Sequence, residues 1–457
     1  NEFSKFQQTA IFECFLSGGG DRAAYGYRGD ARGRRAQPDH PVNVVGIIRE
    51  RKASMEPIEG GSATHEEEAG LGRFLVAHGG PFYGLQQQLG LLREDAFRAG
   101  PRAFLLVGLA WGVPLVLSLI AGDAFGTHAA KPYLLELGAW SRFFIAIGLF
   151  ILMERKVEKG LRMHLVQFGR APLLAPGSFE PAAEAVTRAL KRRNARLAEV
   201  ICLLIAIILT IIMYIRLSDA ETSSWMVRVS SERNSLTIAG WWCFAVSNPL
   251  FCFLLLRWLW RLCVWSMLLR DLANLELRLV ATHPDGHGGL AFIGLYPNAY
   301  TTYVFAISCV VGAAIAQEFL TGDLTISTYG IVMGGWLLIV LLIFTLPLLS
   351  FHKPLTELKR RTYLACSALA TRYYRAAERD LLGRNISASQ DAEPHTGDEI
   401  PDPSKVFTTI QKLSVFLVSK SALLPISAAA LIPLVAAGAT QLPIKELVKV
   451  MKRLLLL

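Results

Sequence analysis

The chain has 457 residues, 52% of them in the AVILMFWYC set and 18% charged, with a mean hydropathy of +0.37. Soluble domains carry about a quarter charged residues and less apolar content, so this composition excludes a disordered chain and argues against a soluble enzyme. The formal charge of +10 suits either a nucleic-acid binder or a membrane protein with cationic loops, and the position of the cations decides between them.

Residues 1–54 begin with Asn1, contain no methionine and mix Gly- and Arg-rich stretches without periodicity. They lack the charged, apolar and cleavage order of a secretory signal. They are expected to be upstream or added, disordered sequence, with Met55 the natural start. Residues 55–102 then form an N-terminal cytoplasmic segment with an acidic run at Glu66, Glu67 and Glu68.

A membrane span needs about 20 mostly apolar residues. Six segments qualify within 103–350, at 103–121, 133–153, 198–217, 239–258, 298–317 and 329–350. The third and sixth are unambiguous, and the second is weakened by Glu136 and Arg142. The loops 122–139, 218–238 and 318–327 hold 3 Lys and Arg, whereas 55–102, 154–197, 257–296 and 352–412 hold 28. Retention of cations on the cytoplasmic side places both termini inside. The expected fold is all-α, a polytopic membrane protein of about six transmembrane helices with cytoplasmic helical extensions.

Within the inner loop 154–197, residues 178–196 have helical signals: Ser178 as N-cap, Pro181 in the first turn and a basic C-terminal end. Residues 351–383 continue the sixth span as a cytoplasmic helix ending at Gly383, and 384–412 is a polar linker with Pro394, Pro401 and Pro403. The apolar stretch 413–438 carries Lys420 and is broken by Pro425 and Pro433. As a seventh crossing it would leave Lys445, Lys449, Lys452 and Arg453 outside, so 413–457 is expected to be re-entrant or interfacial. Residues 445–456 set apolar and cationic faces as in a helix lying on an anionic leaflet.

The most distinctive string runs from Ala281 to Leu290 and includes His283, Pro284, Asp285, Gly286, His287, Gly288 and Gly289. It resembles the HPDxxGGL loop of an uncharacterised group of bacterial multi-pass inner-membrane proteins, and residues 81–91 (PFYGLQQQLGL) and 442–447 (LPIKEL) are similar to that group too. The resemblance covers about a tenth of the chain. It implies an inner-membrane location and a polytopic architecture, and supplies no catalytic residues or cofactor.

Imidazole and carboxylate suit a divalent metal, which makes His283, Asp285 and His287 candidate ligands. Pro-Asp-Gly followed by two glycines is also a strong turn, and that reading has more weight. Ionisable groups in spans are costly and often functional, which singles out Glu136 and Arg142; six residues apart, they fall on different faces of a regular helix. Arg257 and Arg261, beside Trp258, Trp260 and Trp265, suit an interfacial anchor or, in a homo-oligomer, a basic ring at the inner mouth of a pore. Asn248 and Pro249 fall mid-span, where proline kinks the helix and Asn can reach a neighbour. Ser308, Gly312 and Ala316 form a close-packing stripe, as does Gly330 with Gly334. The seven cysteines form no CxxC pair, and the basic runs lack the interleaved aromatics of a nucleic-acid platform.

Three functions follow in order. The first is a homo-oligomeric channel or transport protein of unknown substrate, embedded in the lipid bilayer. The second is a non-transporting sensor or scaffold that engages a cytoplasmic protein partner through its inner helices. The third, a membrane enzyme using the His283 loop, ranks last.

Overall fold

A computed structural model describes residues 76–91, 99–125, 131–218, 224–229, 234–321, 325–387 and 402–439. Expectations for residues 1–54, for most of the linker and for 440–457 lie outside these. The described chain is all-α but for one small antiparallel hairpin, β1 (Val227–Arg228) with β2 (Ser235–Leu236). The helices are α1 (Pro81–Gln88), α2 (Ala99–Ala121), α3 (Leu137–Arg170), α4 (Phe179–Arg193), α5 (Arg196–Ile215), α6 (Ile238–Ala273), α7 (Ile293–Leu320), α8 (Ser327–Leu382), α9 (Ser404–Lys412) and α10 (Lys420–Ala439). Seven of them (α2, α3, α5, α6, α7, α8 and α10) are long and apolar enough to cross a bilayer, so the protein is a polytopic α-helical membrane protein.

The connections sort into two ends. At one, Trp225 N–H donates to the Lys131 carbonyl at 3.1 Å and Tyr133 N–H to that of Asp123 at 3.2 Å, which gathers the cation-poor loops. At the other, the basic end, Arg278 N–H donates to Leu173 O at 2.6 Å and Ser414 N–H to Gly286 O at 2.9 Å. The alternation of charge along the sequence is thus an alternation in space. Several helices run far past the membrane length at the basic end: α8 continues from His352 to Leu382 for 31 residues, about 46 Å. It stops at Gly383, whose φ of +71° is the left-handed cap expected there. Ser178 precedes α4 as expected but donates its hydroxyl to Glu276 O at 3.3 Å instead of capping the helix.

The tail corrects the span count. Residues 420–439 form one continuous helix, with Pro425 and Pro433 inside it. It starts at the basic end, where a Cβ on Gly294 would strike the Leu417 carbonyl. It climbs alongside α7, whose Gly312 lies against the Pro433 carbonyl, and ends near the start of α8, where Tyr329 Oη donates to Leu434 O at 3.0 Å. Proline removes one donor each time but is tolerated because α7 presents small residues, so close packing replaces what the helix loses.

Three helices carry a π-helical turn at a common level: Gly108–Gly112 in α2, Trp140–Ala146 in α3 and Cys243–Ser247 in α6. Wider turns leave carbonyls without helical partners, and side chains from neighbouring elements reach them. Trp242 Nε1 donates to Leu109 O at 2.9 Å, Ser247 Oγ to Ala110 O at 2.7 Å and Tyr133 Oη to Trp111 O at 2.8 Å. The kink expected at Asn248 and Pro249 takes the form of the π turn just before them, and Asn248 Nδ2 reaches Cys243 Sγ of its own helix at 3.4 Å instead of a neighbouring helix.

Candidate functional site

Arg257 and Arg261 lie one turn apart on α6 and are each 2% exposed, so neither guanidinium is presented to solvent or to a pore mouth. Arg257 Nε donates to Glu199 Oε1 at 2.9 Å, and Arg102 Nη1 to Glu154 Oε2 at 2.6 Å. Both arginines also hold the backbone ahead of α1: Arg261 Nη2 donates to Ala77 O at 2.7 Å and Arg257 Nη2 to Gly79 O at 3.3 Å. Carboxylates grip the same segment from the acceptor side, with Ala77 N–H on Glu158 at 3.2 Å and Phe82 N–H on Glu199 at 2.7 Å. His78 Nδ1 lies 2.7 Å from Glu158. Gly79 and Gly80 adopt φ of +84° and +90°, and a Cβ on either would strike Asn194 or Glu199. Residues 77–82 are therefore a strap bound across the basic-end halves of α3, α5 and α6 by paired, buried charges. Beside it a cleft of about 810 Å³ opens between α1, α5 and α6, walled by Leu85, Leu203, Leu250 and Phe253, with Pro249 also on its lining.

The loop at 283–290 is a self-capped turn. Asp285 Oδ1 accepts from His287 N–H at 2.8 Å and Gly289 N–H at 3.1 Å, and Oδ2 from Ala291 N–H at 3.1 Å. Burial works to raise the Asp285 carboxyl, yet these backbone donors, with His283 at 2.9 Å, hold it below its ordinary value. His287 Nδ1 is engaged with the Asp285 carbonyl at 2.8 Å. Gly286, Gly288 and Gly289 all have positive φ, which explains the motif's glycines. The candidate ligands His283, Asp285 and His287 are thus spent on the turn, and among the described residues no group of three His, Cys, Asp or Glu side chains is placed to hold a metal ion.

Glu136 and Arg142 come together at the opposite end. Glu136 is in extended backbone just ahead of α3, and the π turn from Trp140 changes the angular step, so the two meet where a regular helix would part them. Arg142 Nη2 is 3.8 Å from Glu136 Oε1, with side chains 22% and 24% exposed. Trp225 Nε1–H donates to the other Glu136 oxygen. Arg142 Nε donates to Gly138 O at 3.1 Å, its Nη1 reaches the Met213 thioether at 3.6 Å, and its guanidinium lies 5.4 Å from the Phe143 ring centroid. The pair lines a cavity of about 590 Å³ between the cation-poor loops and α7, shared with Lys131, Ser141, Ala313 and Gln317.

No known protein family, curated protein or solved structure matches the chain.

Function must therefore be argued from the two sites themselves. The strap is a closed structural assembly in which each charge has a partner of opposite sign or a backbone acceptor. The cavity carries loosely paired charge and is lined by Ser141 and Arg142 of the π turn in α3. Sequence reasoning reached Arg257 and Arg261 but missed Arg102, Glu154, Glu158 and Glu199. Their signal was present: each is an ionisable residue near the basic-end border of an apolar segment, where the count of cations alone drew attention away from the carboxylates.

Proposed function

We propose that this chain is a membrane transport protein whose solute site is the cavity around Glu136 and Arg142. The observation that carries this reading is the ion pair itself: two ionisable groups held within a polytopic bundle, only loosely matched, and facing a cavity instead of a protein core. Such groups in membrane proteins mark solute pathways because burying them without a use is costly. At the opposite end the strap ties α3, α5 and α6 together through buried ion pairs, and a second, mainly apolar cleft of about 810 Å³ opens beside it. The charge distribution supports a cytoplasmic basic end, and the resemblance of the 283–290 loop to bacterial inner-membrane proteins supports that membrane.

A fixed channel with a ring of Arg257 and Arg261 fits less well, since both side chains are committed to the strap. Reconstitution into liposomes tests the proposal: the protein should take up small organic solutes under a gradient, and Arg142→Ala or Glu136→Ala should lower uptake about tenfold or more without loss of the folded peak on gel filtration. Uptake unaffected by either change would refute it.

The sensor or scaffold reading rests on a different feature. Over its 31-residue extension α8 buries only Leu355, leaving Leu364, Tyr374, Leu381 and Leu382 exposed. A cytoplasmic partner or a second copy would cover that surface. Loss of a co-purifying protein on Leu364→Asp, with uptake absent throughout, would favour it.

A further inference from the structure

We infer that the cavity at Glu136 and Arg142 binds a small organic monoanion, a carboxylate on an apolar body. The inference rests on the transport reading for its biological meaning, but its geometry stands alone. Among the described residues of the lining, two cations, Lys131 and Arg142, stand against one carboxylate, Glu136, a balance of one positive charge. Among the described residues no carboxylate lies in ion-pair range of Lys131.

The guanidinium is under-used. Its Nε–H is taken by the Gly138 carbonyl at 3.1 Å, while one terminal nitrogen faces a thioether at 3.6 Å and the other a carboxylate at 3.8 Å, beyond hydrogen-bond length. An arginine fork satisfied by neither of its natural acceptors is matched by an incoming carboxylate, which offers two oxygens in its plane. Glu136 is fixed by the Trp225 indole and cannot swing fully onto Arg142. Its negative charge admits a single anionic group and repels a second, which sets a monoanion against a dianion.

The rest of the wall is mostly apolar, with Ser141, Ser224 and Gln317 as its uncharged polar members. On α7, Val310, Ala313, Ala314 and Leu320 face the space, joined by Leu135 and Met226. Small alanines opposite the ion pair leave room for a branched hydrocarbon body, and about 590 Å³ lies within the range of small-molecule sites. Ligand charge therefore belongs near Arg142 and Lys131, and ligand carbon along α7.

The test uses the full chain in lipid nanodiscs and isothermal titration with 4-methylpentanoate, leucine, isopentylamine and 3-methylglutarate. These share a branched body and differ in charge. The expected order places 4-methylpentanoate first, and Arg142→Gln should weaken it by about tenfold or more, the cost of a charged hydrogen-bonded pair. Ala313→Phe, which fills the cavity without touching the charges, should abolish binding and guards against misfolding of the first variant. Glu136→Gln should narrow the gap between 3-methylglutarate and 4-methylpentanoate.

Preferential binding of isopentylamine or leucine would overturn the inference, as would tight binding of the monoanion unchanged by Arg142→Gln and Ala313→Phe, or no binding of any of the four compounds. Binding of 4-methylpentanoate without uptake into liposomes would sustain the inference and sink the transport reading. Arg142-dependent uptake of an amine would do the reverse.

Discussion

Asp285 shows how a residue selected by motif takes its role from backbone geometry. Three N–H groups converge on its carboxylate, so Asp285→Ala removes every one of these bonds and leaves part-buried donors unmet, a destabilisation of about 1–2 kcal/mol. Thermal unfolding in detergent should register the loss, and a chelator should leave the melting temperature unchanged. The depressed carboxyl also fixes a sign. A lowered folded value stabilises above the ordinary aspartate pKa of about 3.9, and that stabilisation is lost as pH falls through the folded value. The wild-type advantage over Asp285→Asn should therefore be flat from pH 5 to 8 and shrink only in stronger acid; a decline between pH 8 and 6 would contradict this account of the loop. The glycines and the Pro-Asp-Gly turn were legible in the sequence because they obey local backbone rules. The meeting of Glu136 with Arg142 was not, since it depends on a π turn and a helix start that no residue type announces.

At the scale of elements, the strap and the tail behave differently from what composition suggests. The strap was visible only as the string 81–91, and its binding to α3, α5 and α6 depends on carboxylates whose partners are distant in sequence, Arg102 with Glu154 and Arg257 with Glu199. Removing one partner from a buried pair leaves an uncompensated charge at a cost of about 3–5 kcal/mol. Glu199→Ala should accordingly release residues 77–88, seen as faster amide hydrogen exchange and new proteolytic cleavage there, while exchange in α7 and α10 stays slow. Cleavage spread evenly over the chain would mean that Glu199 supports the whole bundle instead. Spans were legible because their hydrophobic lengths match the bilayer. The seventh was misjudged because proline and charge rules are local, whereas the fit of α10 against Gly294, Gly312 and Tyr329 is a tertiary fact. Gly312→Leu places bulk against the Pro433 carbonyl and should loosen α10, lowering the melting temperature without touching the cavity's charges.

For the whole molecule, the two ends carry different physics. The basic end is built from long helices, paired ions and a strap that ties three of them together. The opposite end is built from short loops, and three π turns widen the helices just inside it. The charge count separated these ends correctly, because each loop carries its sign independently of how the helices pack. It could not reveal which end holds the charged cavity, since that depends on side chains brought together from loops and helices far apart in the chain. Labelling with a membrane-impermeant maleimide in sealed vesicles, on single-cysteine variants at Ala313, Ser224 and Ser404 in a background without native cysteines, tests this division most directly. Ala313 and Ser224 should react only from the side opposite Ser404, and 4-methylpentanoate should slow the reaction at Ala313 alone. Reaction of Ala313 from the same side as Ser404, or no reaction at Ala313 from either side, would contradict a cavity that faces away from the basic end.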